Sequence, residues 1–319
     1  MMKISGFTFL RNTSKLYYPI LESIQSVLPL VDEFVIALGK GDEDDDSEQK
    51  ILSLNSPKIK IIHTTWDLDK FSDGTEYAHQ TDIAKEACSG DWLIYIQGDE
   101  LIHEEDYDEI ISKCKRFLND KSVDGFLFNY YHFYGNYDHY FRDHCWYPNE
   151  IRIVRNDPDI HSFKDAQSFR RIPNFDGVSY RAKENTFKLN VVQLDASIFH
   201  YGWVRPPHLM QKKRVYFARA YLKDLATHPD YMKYQHTYDY GRIDRCKKFK
   251  GTHPKLMASK IKTLDWQDSL RFSGPIAIGR RITKHEKPKY RFIMWIEKMF
   301  LGGRLIGGHK NYSILKDKI

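Results

Sequence analysis

The chain has 319 residues, an ordinary globular composition apart from 14% aromatics, and a formal net charge of +6. That length easily buries a core; no run approaches 18 apolar residues, so no membrane-spanning helix is expected, and the opening residues read as a strand rather than a secretory signal. Cys88, Cys114, Cys145 and Cys246 are widely spaced with no CxxC pair, which argues against a zinc knuckle or a disulfide framework and fits a reducing, cytoplasmic setting.

Ile4 to Leu10 reads as the first strand. Arg11, Asn12 and Thr13 follow, Ser14 suits an N-cap, and Leu16, Ile20, Ile24, Val27 and Leu28 recur at helical spacing until Pro29. Glu33 to Leu38 is a second strand, Gly39 to Ser47 a loop with five acidic residues, and Ile59 to His63 a third strand. Glu76 to Cys88 is an amphipathic helix closed by Ser89 and Gly90. Trp92 to Ile96, apolar, aromatic and β-branched between two glycines, is a buried strand. Glu104 to Leu118 is a helix with an acidic first turn, and Val123 to Tyr130 a strand. This β-α-β alternation with short connections predicts an α/β fold whose largely parallel sheet is covered by helices.

After Tyr130 the alternation breaks. Residues 126–147 hold 11 aromatics in 22 positions with His132, His139 and His144 interleaved, and a loop and hairpin over the sheet edge is expected. Ile151 to Arg155, Phe187 to Leu194 and Ile198 to His200 read as strands. From Pro206 the pattern turns helical, through Met210, Val215, Phe217, Tyr221, Leu222 and Leu225 and again over Tyr290 to Leu301. Two parts are therefore expected, an α/β domain over residues 1–205 and a basic, mainly helical extension over 206–319. The first holds 23 Lys/Arg against 34 Asp/Glu, the second 26 against 9. Lys212, Lys213, Arg214, Arg219, Lys247, Lys248, Lys250, Arg280, Arg281 and Lys284 make either a solvated basic face or a surface drawn to an anionic membrane. Nucleic acid is the weaker fit, because no recognised binding motif accompanies the charge.

The chemistry-bearing stretch is Gly90 to Asp106. The buried strand stops abruptly at Asp99 and Glu100, so it presents carboxylates at its C-terminal end, where open α/β sheets bind ligands. Such hard oxygen ligands suit Mg²⁺ or Mn²⁺ shared with a substrate's phosphates; the same pair also suits a turn and a helix cap. No GxGxxG follows the first strand, and neither GxxxxGK[ST] nor GxSxG occurs, which removes the usual dinucleotide, P-loop and serine-hydrolase readings.

A strand ending in Arg-Asn, a helix, a strand ending in an acidic loop, a third strand, a helix and then Gly-Asp-Trp-Leu-Ile-Tyr-Ile-Gln-Gly-Asp-Glu resembles a family 2 glycosyltransferase of the GT-A fold over roughly residues 3–205. Its strongest piece, Ala84 to Glu100, is similar to that family's A-x-G-D-W-hydrophobic-D-A-D-E signature, with Gln97 where the first Asp usually stands. The resemblance implies a Rossmann-like, mostly parallel sheet with helices on both faces. It also implies inverting transfer from a nucleotide sugar, assisted by Mg²⁺ or Mn²⁺, to a glycan or lipid-linked acceptor. Asp99 would hold the metal, completed by His200 of Phe-His-Tyr-Gly-Trp-Val-Arg. Gln97 would serve ribose or sugar hydroxyls, Glu100 would stand beside the donor, and Arg205 would contact phosphate. Arg11 with Asp42 or Asp44 would cradle base and ribose. Asp165 is the expected general base, ahead of Glu150 and Asp143, and Trp146 and Tyr147 suit either core packing or stacking on sugar faces. Gln97→Asp, which restores the commoner motif, is expected to be tolerated. A nucleotidyltransferase, or a degenerate glycosyltransferase fold kept as a binding module, is the alternative reading.

Overall fold

The computed structural model describes residues 1–142, 146–221, 237–275, 282–302, 305–306 and 311–318. Its N-terminal half runs β1 (Ile4–Leu10), α1 (Ile20–Val27), β2 (Glu33–Gly39), α2 (Ser47–Ser53), β3 (Ile59–Thr64), α3 (Thr75–Glu86), β4 (Trp92–Tyr95), β5 (Glu100–Ile102) and α4 (Tyr107–Arg116). There follow β6 (Gly125–Tyr134), β7 (His139–Phe141), β8 (Asn149–Arg155), β9 (Ile160–Phe163), β10 (Ser168–Arg171), β11 (Leu189–Trp203), α5 (Pro207–Tyr221), β12 (Lys247–Lys248) and β13 (Tyr312–Ile314). Asp143, His144, Cys145, Leu222, Leu225, Arg280 and Arg281 lie outside the described residues.

Among the described residues eleven strands form one sheet, ordered β12-β7-β6-β8-β4-β1-β2-β3, with β11 paired to β6, β5 and β13. Only β5, β7 and β8 run against the others, so the sheet is mostly parallel, as expected. The central strands are apolar on both faces because both are covered. Trp92, Ile94 and Ile96 pack with α1 and α4, while Leu93 and Tyr95 join Phe7, Val35 and α3 on the opposite face. The aromatic stretch makes the β6–β7 hairpin, and most of its rings enter a third core with Phe199, Tyr201, Met257 and Trp266.

Three local readings shift. The first helix starts at Ile20 rather than near Leu16, because Tyr17 is left-handed (φ 59°) and Pro19 takes the N-cap position. The two strands expected over 187–200 are one, β11, whose register against β6 slips between Gln193 and Ser197. The third, β5, follows Asp99 directly and was hidden in what reads as a turn into a helix. Residues beyond 205 also enter the sheet, through β12 and β13.

Candidate functional site

A cleft of about 420 Å³ opens at the C-terminal ends of β1 and β4, the crevice position of α/β sheets. Its floor is the turn Gln97-Gly98-Asp99 between β4 and β5, one wall is β11 with His200 and Gly202, and α5 closes the top with Lys213, Tyr216 and Phe217. The register puts His200 opposite both Glu100 on β5 and His132 on β6, and Tyr201 N–H donates to the Asp99 carbonyl at 2.8 Å. The two strands flanking β11 thus fix where its histidine points.

Hydrogen bonding then fixes the tautomer of His200. The Tyr147 carbonyl only accepts, so His132 carries its proton on Nε2, which donates at 2.8 Å. Burial lowers His132 to about 3, so it is neutral near pH 7 and its Nδ1 is an acceptor. That atom lies 3.0 Å from His200 Nδ1, which must donate. Burial likewise lowers His200 to about 4, and its Nε2 lone pair faces Asp99 Oδ1 at 3.8 Å. Gly202 leaves this side open, since a Cβ there would stand 2.4 Å from His200 Nε2 and 2.6 Å from Asp99 Oδ2. An unprotonated imidazole nitrogen and a carboxylate oxygen, side by side in a space only glycine permits, fit a divalent cation that takes its remaining ligands from phosphate and water.

Lys213 reaches the same carboxylate from α5. Its Nζ donates to Asp99 Oδ2 at 3.0 Å and to the Gly202 carbonyl at 2.8 Å, over the rings of Tyr18 and Phe217. Burial, then the charge of Arg205, pulls Lys213 down to about 8, against the opposing pull of Asp99. Burial alone would raise Asp99, but Lys213, then His200 and Arg205, hold its carboxyl below the ordinary range.

Asp165 enters the cleft on the β9–β10 turn. Both its neighbours are left-handed without being glycine, Lys164 at φ 61° and Ala166 at φ 61°, a strained arrangement that persists only where the surroundings impose it. Tyr221 O–H donates to Asp165 Oδ2 at 2.9 Å, and Gln97 Nε2 donates to the Ala166 carbonyl at 3.2 Å and to Tyr95 Oη at 3.3 Å. Gln97 therefore braces the turn that carries Asp165. The shorter Asp would withdraw the donor and set a carboxylate towards a carbonyl, so the expectation that Gln97→Asp is tolerated is reversed. This substitution should cost roughly 1–3 kcal/mol of stability, read by thermal or denaturant unfolding, and lower turnover with it.

Of the residues singled out in the sequence, Asp99, His200, Gln97, Asp165 and Arg11 line one cleft, and five do not. Glu100 points into the protein, where Arg152 grips both its oxygens at 2.8 Å and Tyr130 O–H and Gln97 N–H donate to them, so it has no face for a donor. Glu150 is buried among Ser168, Gln167 and Asn311, and burial raises its carboxyl. Arg205 lies fully buried against Tyr18, donating to the Leu16 carbonyl at 2.6 Å. Asp42 and Asp44 are both held by Lys15 outside the cleft. Of the aromatic pair, Tyr147 reaches the lining, while Trp146 stacks on Phe141 at 5.3 Å in the third core. Sequence reading missed Lys213 as a site residue, counting it only as surface charge, and missed Trp66, Tyr77, Tyr216 and Phe217. No local signal marks them, because Lys213 and Asp99 are 114 positions apart.

No family model matches the chain, and no curated protein matches it. Among solved structures it is similar to S. aureus TarS 1-349, at 14% identity and a TM-score of 0.36 over 69% of this chain and 65% of that one. The same protein in complex with UDP-GlcNAc aligns at 15% identity and a TM-score of 0.36 over 73% and 72%. Glucosyl-3-phosphoglycerate synthase from Mycobacterium tuberculosis, solved with Mn²⁺, UDP and phosphoglyceric acid, aligns at 16% identity and a TM-score of 0.29 over 41% and 43%. The chain spans just under two thirds of the first and less than half of the third.

Proposed function

We propose that the chain is a glycosyltransferase of the GT-A type that moves a sugar from a nucleotide-sugar donor to an acceptor hydroxyl with inversion at the anomeric carbon. The observation that carries this reading is the convergence in the lining of one cleft of Asp99 with His200 Nε2, the ammonium of Lys213 and the carboxylate of Asp165. Asp99 and His200 would hold Mg²⁺ or Mn²⁺, which when bound offsets the negative charge that develops on the departing diphosphate. Lys213 adds a protein cation at the same place. Asp165 Oδ1 takes the acceptor hydroxyl's proton as the oxygen attacks, and Tyr221 orients the carboxylate through Oδ2. The bond from the anomeric carbon to phosphate oxygen breaks and its electron pair leaves with the nucleoside diphosphate. Arg11, lying over Trp66 and beside Tyr216, marks the aromatic end of the cleft as the place for the base.

A thermal-shift screen of nucleotide sugars with Mn²⁺ tests this, because a ligand of the native state raises the midpoint by mass action. The products of the donor that binds then decide the reaction class. Nucleoside diphosphate supports transfer, pyrophosphate indicates nucleotidyl transfer, and no turnover with any bound donor leaves a binding module.

His132 should matter to the metal without touching it. Replacing it by Phe removes the acceptor that holds His200 Nδ1–H and is expected to weaken Mn²⁺ binding by about 10–100-fold. His132→Gln, whose amide oxygen can accept, should recover part of the loss in calorimetric titration with Mn²⁺, and equal affinities in all three proteins would remove the role.

A further inference from the structure

We propose that the helix Pro288–Phe300 is a docking surface for an anionic lipid bilayer, its apolar side chains entering the headgroup region while its cations meet lipid phosphates. The helix is built inside out. Glu297 is its buried residue and accepts from Ile306 N–H at 2.6 Å, whereas Phe292, Trp295, Met299 and Phe300 are between 51% and 70% exposed. Phe292, Trp295 and Met299 fall at i, i+3 and i+7, one stripe of the helix. The rings of Phe292 and Trp295 lie 6.0 Å apart and those of Trp295 and Phe300 5.7 Å, so the apolar surface is continuous. Such a patch signals something that covers it.

Charge says what covers it. Between Lys284 and Leu301 every exposed, described ionisable side chain is a cation, namely Lys284, Lys287, Lys289, Arg291 and Lys298. The two acids of this stretch are withdrawn, Glu297 inside and Glu286 paired with Arg245 at 3.1 Å. A second copy meeting this face by a two-fold axis would set these cations against their own images. An anionic lipid surface attracts all of them at once and accepts Trp and Phe at headgroup depth. Thirteen residues are too few to span a bilayer, and no helix among the described residues is long and apolar enough to do so. A short helix with an apolar stripe and a cationic rim lies in the interface instead.

This inference is independent of the reaction and is tested without it. The full chain is floated with vesicles of phosphatidylcholine plus phosphatidylglycerol, and with phosphatidylcholine alone. Binding is expected to the anionic vesicles, to weaken as salt is raised, and to bring quenching by brominated lipid that falls in Trp295→Phe. Phe292→Ser with Phe300→Ser should weaken binding by about tenfold or more, and Lys289→Gln or Lys298→Gln by roughly fivefold each. All five substituted positions are exposed, so an unchanged melting temperature is the control. The proposal is overturned by absence of flotation at low salt, by a double Ser variant that floats like the wild type, or by a wild-type dimer that these substitutions dissociate while lipid binding is absent.

Discussion

Asp99→Asn is expected to lower sugar transfer by about 10²–10³-fold, the usual loss when a group that stabilises developing charge is removed. The carboxylate serves two partners at once, with Oδ2 on Lys213 and Oδ1 facing His200 Nε2. An amide of the same shape keeps neither the charge pair nor an anionic ligand. The variant should also unfold more easily, because Lys213 stays buried without its counter-charge, and breaking a buried pair from one side typically costs about 3–5 kcal/mol. Asp99→Asn with Lys213→Met separates the two effects. It should recover much of the melting temperature and none of the activity. Turnover at the wild-type level in Asp99→Asn under saturating Mn²⁺ would remove the site assignment.

Asp165→Asn is expected to reduce kcat by about 10²–10⁴-fold, the range for loss of general base catalysis, with donor affinity unchanged. Asn keeps a hydrogen-bonding group for Tyr221 and fills the same strained turn, so the loss reports on proton abstraction rather than on the loop. Glu150→Gln serves as the contrast. Its carboxyl is enclosed by Ser168, Gln167 and Asn311 outside the cleft, so kcat should stay close to wild type whatever happens to stability. A large loss in Glu150→Gln beside none in Asp165→Asn, measured by single-turnover transfer, would move the base.

The elements that sequence pattern reveals are those whose burial is written into neighbouring residues. β1 is found residue for residue because Ile4–Leu10, mostly apolar and buried at every position but Phe9, lies between Lys3 and Arg11. The strand-end location of Asp99 is legible for the same reason. Which of two adjacent carboxylates serves the cleft is not legible, because Asp99 closes a turn and Glu100 opens β5, and the pattern does not say which way either side chain faces. Asp99 turns outward to His200 and Lys213, and Glu100 inward to Arg152. Asp165 was reachable as an acid in a loop, yet what holds it, left-handed Lys164 and Ala166 and the amide of Gln97, depends on backbone geometry and a contact 69 positions away. Asp42 and Asp44 mislead for the opposite reason: an acidic loop at a strand end looks like a ligand site until Lys15 is seen to neutralise it.

The pairing of β13 with β11 has a consequence for biosynthesis. Tyr312–Ile314 lies parallel to Leu189–Val191, and Asn311 binds both Glu150 and Arg170. A nascent chain therefore cannot seat the start of β11 against β13 until synthesis has passed Ile314. At ordinary ribosomal rates of about 5–20 residues per second, the roughly 120 residues between the two segments keep the start of β11 without that partner for about 6–25 seconds. During that interval the sheet keeps an open edge, of the kind that recruits stray strands from other chains.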